Sequence, residues 1–221
     1  KDAPLRNPEN DAQLLGNTLE SLGFKTHVYL NLDQRGLRRA VADYGAALEA
    51  AGPDTVSLVY FAGHGIQIGN QNYLIPVASQ ITHERDVPIE AVSADEVMKS
   101  LAFAQTRLNI IILDACRNNP YARSFRSASR GLARMEAPRG TLLAYSTSPG
   151  SVAADGSGKY SPYTASLVRA MNRPGLSIEG VFKQTRISVM ERTNEQQVPW
   201  ESSSLTGEFS FLPGAAGGAA E

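Results

Sequence analysis

VSLVYFA (Val56–Ala62), followed at once by Gly63-His64-Gly65, and LNIIIL (Leu108–Leu113), followed at once by Asp114-Ala115-Cys116, decide how this chain folds. Both runs are mostly apolar and rich in β-branched residues, the pattern of strands buried on both faces of a parallel sheet. Between them, Gln67–Pro76 carries Gly69-Asn70 flanked by short extended pieces, which predicts a hairpin, and Ser93–Phe103 has helical spacing. With a helix linking them, the two runs are expected to be parallel neighbours. His64 and Cys116 then share one rim, beyond the carboxyl ends of adjacent strands, where α/β sheets collect their chemistry.

A base and a thiol so placed are the parts of an activated thiolate nucleophile. The glycines around His64 admit a substrate backbone and leave amide N–H groups for an oxyanion. Each residue alone has a plainer role. A lone Cys at a strand end packs as a small hydrophobe, and a His between glycines serves as a turn residue. Their joint position is what points to catalysis.

The flanking sequence completes an α/β alternation. Asn7-Pro8 starts a helix carrying Leu15, Leu19 and Leu22, closed by Gly23, and Phe24–Leu32 reads as a strand. A helix opens at Asp33, shows Leu37, Val41, Tyr44 and Leu48 on one face, and stops at Gly52-Pro53. Thr141–Thr147 returns to strand character, Gly150–Lys159 is a small-residue loop, and Ser161 and Ser177 cap two further helices. Glu208–Leu212 reads as a last short strand before Pro213 and a Gly/Ala tail. Between the second buried strand and Thr141, Arg117 to Arg139 holds six arginines and one acid, Glu136, without periodicity. The fold class is α/β with a mostly parallel sheet flanked by helices.

Composition narrows the function. The 221 residues suit one sizeable core, and 21 Lys+Arg against 22 Asp+Glu argue against a nucleic-acid binder held by overall charge. The longest apolar runs are strand-sized, so no membrane span is expected. A single cysteine excludes an internal disulfide framework and a multi-thiolate zinc site. His27, His64 and His83 are too scattered to suggest a metal site. Gly156-Ser157-Gly158-Lys159 fails as a phosphate loop, because Tyr160 replaces Ser/Thr and Ala153 the first Gly.

YFAGHG (Tyr60–Gly65) and DACRNNP (Asp114–Pro120), with 52 residues from His64 to Cys116, resemble the caspase-like cysteine peptidases, most closely the bacterial metacaspase-like (orthocaspase) branch. APLRNPENDA (Ala3–Ala12) and SPYTASL (Ser161–Leu167) are also typical of that branch. The resemblance implies a three-layer sandwich over residues 1–212, followed by a Gly/Ala-rich tail or linker at 213–221. It implies His64 as general base and acid, Cys116 as nucleophile, and the backbone amides of Gly65 and Cys116 as the oxyanion hole. Members normally carry a central hydrophobic strand just before the segment matching APLRNP. This chain lacks it, so that strand is expected to be supplied separately, and additional domains are expected.

Animal caspases place Gln where this chain has Asp114. A carboxylate there attracts a Lys or Arg side chain and repels Asp. Cleavage after basic residues follows, with Arg favoured through its planar fork. Asp155 is a second pocket acid by position, or equally a solvated turn residue beside Gly156. Trp200, after Val198-Pro199, is an apolar subsite wall or simple core packing. Arg123, Arg126, Arg130, Arg134 and Arg139 are candidate self-processing sites, or part of a solvated connector.

The expected partner is a polypeptide with a basic residue before the scissile bond. No metal or cofactor is expected; calcium activation occurs among metacaspases, but no EF-hand spacing is present. The alternative is a caspase-like interaction or signalling module with little or no peptidase activity. A non-peptidase thiol hydrolase fits the acidic position less well. Bacterial cytoplasm and export both stay open.

Overall fold

Residues 4–115, 125 and 131–214 are described by the structure, a computed structural model. Helix α1 (Pro8–Ser21) opens on a proline, whose missing N–H costs nothing in a first turn, and ends before Gly23 at φ +89°. Helix α2 (Gln34–Ala51) is capped by Asp33, whose carboxylate accepts the Gly36 N–H at 2.7 Å, and stops at Gly52, φ +90°. Strand β1 (Val56–Ala62) leads into the hairpin β2 (His64–Ile68) and β3 (Gln71–Ile75). Gly69 and Asn70 both have positive φ there (56° and 63°), which a tight two-residue hairpin turn requires.

A 3₁₀ turn (Glu84–Asp86) and the short α3 (Val87–Glu90) precede β4 (Val92–Ser93), whose last residue caps α4 (Ala94–Phe103). Strands β5 (Leu108–Asp114) and β6 (Thr141–Tyr145) follow, then α5 (Pro162–Met171), α6 (Ile178–Arg192) and β7 (Trp200–Ser203). Ser161 and Ser177 cap α5 and α6 as their positions before each apolar run predict.

The main sheet has the order β1-β5-β6-β7, with the first three strands parallel and β7 antiparallel. Every residue of β5 and β6 is buried. Alternation sends Ile110, Ile112, Leu142 and Ala144 toward Leu15, Tyr163, Leu167 and Phe182 of α1, α5 and α6. Ile111, Leu113, Leu143 and Tyr145 face Leu48, Val97 and Leu101 of α2 and α4 on the other side. These two apolar layers make the helix–sheet–helix sandwich. The small sheet β2-β3-β4 packs Ile66 and Tyr73 with Ile81, Val87 and Phe125 into a third cluster.

Two expected strands are not strands. Residues 24–32 make no ladder, because no neighbouring strand runs alongside them among the described residues. Val28 packs on Gly16 of α1, where an added Cβ would stand 2.4 Å from its methyl, and Tyr29 is 52% exposed. Residues 208–212 instead hold the entry to α6: the carbonyls of Phe209 and Leu212 accept the N–H groups of Ile178 and Gly175 at 2.8 Å. The rings of Phe209 and Phe211 form an aromatic cluster with Phe24 at 5.0–6.3 Å between centroids. The neighbour of β6 is β7.

Among the described residues strand β1 lies at the sheet's edge, and it is mostly half-buried where burial on both faces was expected. The Tyr44 hydroxyl of α2 serves that edge: it accepts the Leu58 N–H at 3.1 Å and donates to the Leu58 carbonyl at 3.2 Å. Burial, the larger effect, raises the Tyr44 pKa above the usual 10, against the lowering effect of these bonds.

Candidate active site

The β1–β5 register places Ala62 opposite Asp114, and the Gly63 N–H donates to the Asp114 carbonyl at 3.2 Å. The chain then turns into β2 at His64. At Gly65 it passes so close to the end of β5 that an added Cβ would lie 2.7 Å from the Ala115 carbonyl oxygen and 3.0 Å from the Leu132 side chain. A glycine is required here by backbone-to-backbone approach. His64 and Ala115 thus belong to adjoining parts of one rim. Cys116 follows Ala115 directly and, with Arg117, Arg123, Arg126 and Arg130, lies outside the described residues.

Strand β6 continues the rim. The Ser146 N–H donates to the Leu113 carbonyl at 3.1 Å, which sets Ser146 and Thr147 beside the end of β5. Both are buried, and among the described residues neither hydroxyl has a hydrogen-bond partner. Gln197 clamps this corner, its amide donating to the Ser146 carbonyl at 2.7 Å and accepting the Ala154 N–H at 3.0 Å. Trp200 starts β7 opposite Tyr145, at the same end of the sheet, and is 39% exposed.

Asp114 is fully buried at the end of β5. Its Oδ2 accepts hydroxyl bonds from Ser161 at 2.8 Å and Thr164 at 3.2 Å, both from the first turn of α5. A carboxylate at a helix N-terminus is favoured by the aligned peptide dipoles. Asp11 of α1, also fully buried, accepts the Ser161 N–H on Oδ1 at 2.9 Å. Two buried carboxylates therefore meet at one serine.

Asp11 was missed in the sequence because an acid in a helix's first turn reads as an ordinary dipole partner. Its only distinguishing feature is burial, which emerges when α1 docks on α5. Asp155 lies by the same end of α1: its carboxylate accepts the Arg6 N–H at 2.8 Å, and its carbonyl accepts the Asn7 side-chain amide. Asn7 thus ties two loops together, although it precedes α1 without a side-chain cap.

Tyr163 follows Ser161 by two residues and is also buried; its hydroxyl has no hydrogen-bond partner among the described residues. Burial chiefly, then the charges of Asp114 and Glu201, hold its pKa well above 10, with Arg186 opposing. Arg186 pairs with Glu201 and donates to the Pro199 carbonyl at 2.9 Å.

Of the arginines in the basic segment, Arg134 and Arg139 are described, and both are exposed. The chain at Arg134 is tethered. Ala133 exchanges two bonds with the Asn72 side chain, at 2.8 and 2.7 Å, and the Met135 N–H donates to the Tyr145 hydroxyl at 3.0 Å.

The Peptidase C14 family, described as Caspase domain, matches residues 1–210. This chain is a member of the caspase-domain family. A solved caspase, described as "structure of pro-sf-caspase-1", superposes with a TM-score of 0.66 at 17% identity, covering 93% of this chain and 82% of that one. That likeness shows the fold. Human mucosa-associated lymphoid tissue lymphoma translocation protein 1 is 27% identical over 113 residues, 51% of this caspase-domain chain. Its mouse homolog is 26% identical over the same length. The match spans 13% of each of those two relatives. No helix among the described residues is long and apolar enough to cross a membrane.

Proposed function

We propose that this caspase-domain chain is a cysteine endopeptidase that hydrolyses peptide bonds after Arg, and less well after Lys. The observation that carries the reading is Asp114: a fully buried carboxylate, cradled by two hydroxyls, two residues before the cysteine. Asp11 on the same serine adds a second negative group. Two carboxylates out of water repel each other and welcome a guanidinium or ammonium, whereas a substrate aspartate would add a third like charge.

In the proposed reaction the Cys116 thiol gives its proton to His64, and the thiolate attacks the carbonyl carbon. A C–S bond forms as the carbonyl π pair moves onto oxygen, where the amides of Gly65 and Cys116 receive it. The C–N bond breaks as His64 returns the proton to the leaving amine. Water, deprotonated by His64, then attacks the thioester and frees the acid product and the thiol. What supports the pairing is the approach of Gly65 to Ala115, the residue covalently joined to Cys116.

Asp155, near the start of α1, is the third acid of the proposed pocket, and Trp200 the apolar wall of a neighbouring subsite. Self-processing belongs to the same reading. The Arg134–Met135 bond is tethered on both sides. The Arg139–Gly140 bond is held by the Gly140 N–H on the Ser204 carbonyl at 3.3 Å and the Thr141 N–H on the Pro138 carbonyl at 3.0 Å. Cleavage is therefore expected after Arg123, Arg126 or Arg130 of the five candidates, with new N-termini at Ser124, Ser127 or Gly131. Incubating the wild type beside Cys116→Ala and sequencing the fragments tests this; an intact wild type contradicts it. Substrate specificity is tested by peptides ending in Arg, Lys and Asp.

A further inference from the structure

We infer that Ser161 is a positioning residue for specificity, orienting Asp11 and Asp114 together to receive a guanidinium; the inference rests on the Arg-directed peptidase reading above. Ser161 is fully buried and makes three bonds at once. Its N–H donates to Asp11 Oδ1 at 2.9 Å, its O–H to Asp114 Oδ2 at 2.8 Å, and its Oγ accepts the Thr164 N–H at 3.0 Å. A backbone N–H can only donate, so the single hydroxyl proton is left for Asp114.

The same reasoning orders the rest of the network. Thr164 gives its one hydroxyl proton to Asp114 Oδ2 at 3.2 Å. In the 2.7 Å contact between the Tyr60 hydroxyl and Thr164 Oγ1, tyrosine must then be the donor. Protons thus point from β1 through α5 to the carboxylate on β5, while the serine's amide holds the carboxylate on α1. Asp11 of α1 and Asp114 of β5 meet at Ser161 before α5, and Tyr60 of β1 joins through Thr164.

Two buried hydroxyls add to this reading. Among the described residues the buried Tyr163 hydroxyl has no hydrogen-bond partner, and the Asp114 charge helps to raise its pKa. Ser146, level with the end of β5, is a second buried hydroxyl without a hydrogen-bond partner among the described residues. A guanidinium brings five N–H donors in a rigid planar fork, enough to serve both carboxylates and such acceptors. An ammonium has three donors on a flexible stem and depends less on how the carboxylates are turned. Loss of the serine hydroxyl should therefore penalise Arg substrates more than Lys substrates.

The test compares Ser161→Ala with Ser161→Gly, which keeps an acceptable helix cap. Ser177→Ala is the control: it removes the cap of α6, which accepts the Gly180 N–H at 3.1 Å and touches no carboxylate. Matched peptides ending in Arg or Lys give kcat and KM, and labelling of Cys116 by a thiol probe counts folded enzyme. Hydrogen bonds to charged groups predict a KM increase of roughly tenfold or more for Arg, with kcat within about twofold. For Lys the rise should be about two- to threefold, so the Arg-to-Lys ratio falls in both Ser161 variants and is unchanged in Ser177→Ala. A wild-type ratio in folded Ser161→Gly overturns this inference alone. A wild type that cleaves after neither residue overturns the peptidase reading with it.

Discussion

Gly65 crosses Ala115 so closely that a methyl group on its Cα would stand 2.7 Å from the Ala115 carbonyl oxygen. Two strand ends thus meet backbone to backbone, the start of β2 against the residue that follows β5. Gly65→Ala must push β2 off the end of β5. We expect a loss of about 1–3 kcal/mol in stability from the forced overlap. Peptidase kcat/KM should fall at least roughly tenfold in the fraction that stays folded, since small misplacements of reacting groups are costly. Denaturant unfolding and peptide hydrolysis check the two effects; full activity in this variant contradicts the placement.

Asp114→Asn preserves shape and removes the charge. Hydrolysis after Arg is expected to drop by about two orders of magnitude, because a buried charge-assisted pair is replaced by a neutral contact. Thiol-probe labelling of Cys116 should persist. Unchanged turnover of the Arg peptide would show that the basic side chain binds elsewhere.

Tyr163→Phe removes a buried hydroxyl that has no partner among the described residues. Stability should be unchanged or raised by up to about 1 kcal/mol, since nothing is left unpaired. Thermal unfolding measures this, and a marked loss of stability would mean the hydroxyl is bonded within the fold.

The central part of this fold was legible from local signals. VSLVYFA and LNIIIL read as strands and are strands. Strand β5 is buried throughout, whereas β1, expected to be buried on both faces, is mostly half-buried because it is terminal in the sheet among the described residues. Asp33, Ser93, Ser161 and Ser177 each marked a helix start. Residues 24–32 misled because alternation records only which side chains can face a core. A strand also needs a neighbour's backbone, and none is there among the described residues. Residues 208–212 misled similarly, their carbonyls going to the α6 entry. In the site, Asp114 stood out through its place beside Cys116. Asp11 did not, because its meaning depends on Ser161, 150 residues away.

Asp86 offers a local pH test. Its carboxylate accepts the N–H groups of His83 at 2.7 Å and Thr82 at 3.0 Å. Those bonds, His83 first, lower its pKa from 3.8 to about 2. A depressed folded-state pKa gives stability that is present above the unfolded value, 3.8, and lost as the pH falls through about 2. The 82–86 turn should therefore persist at pH 3. An NMR titration of the Asp86 carboxyl with a midpoint near 4 would contradict the cap.

The most direct test of the central claim is hydrolysis of three matched peptides, ending in Arg, Lys and Asp before the reporter group, by the wild type and by Cys116→Ala. The account predicts turnover in the order Arg, then Lys, with none for Asp and none for the variant. Efficient cleavage of the Asp peptide, or turnover that survives loss of the sulfur, would contradict it.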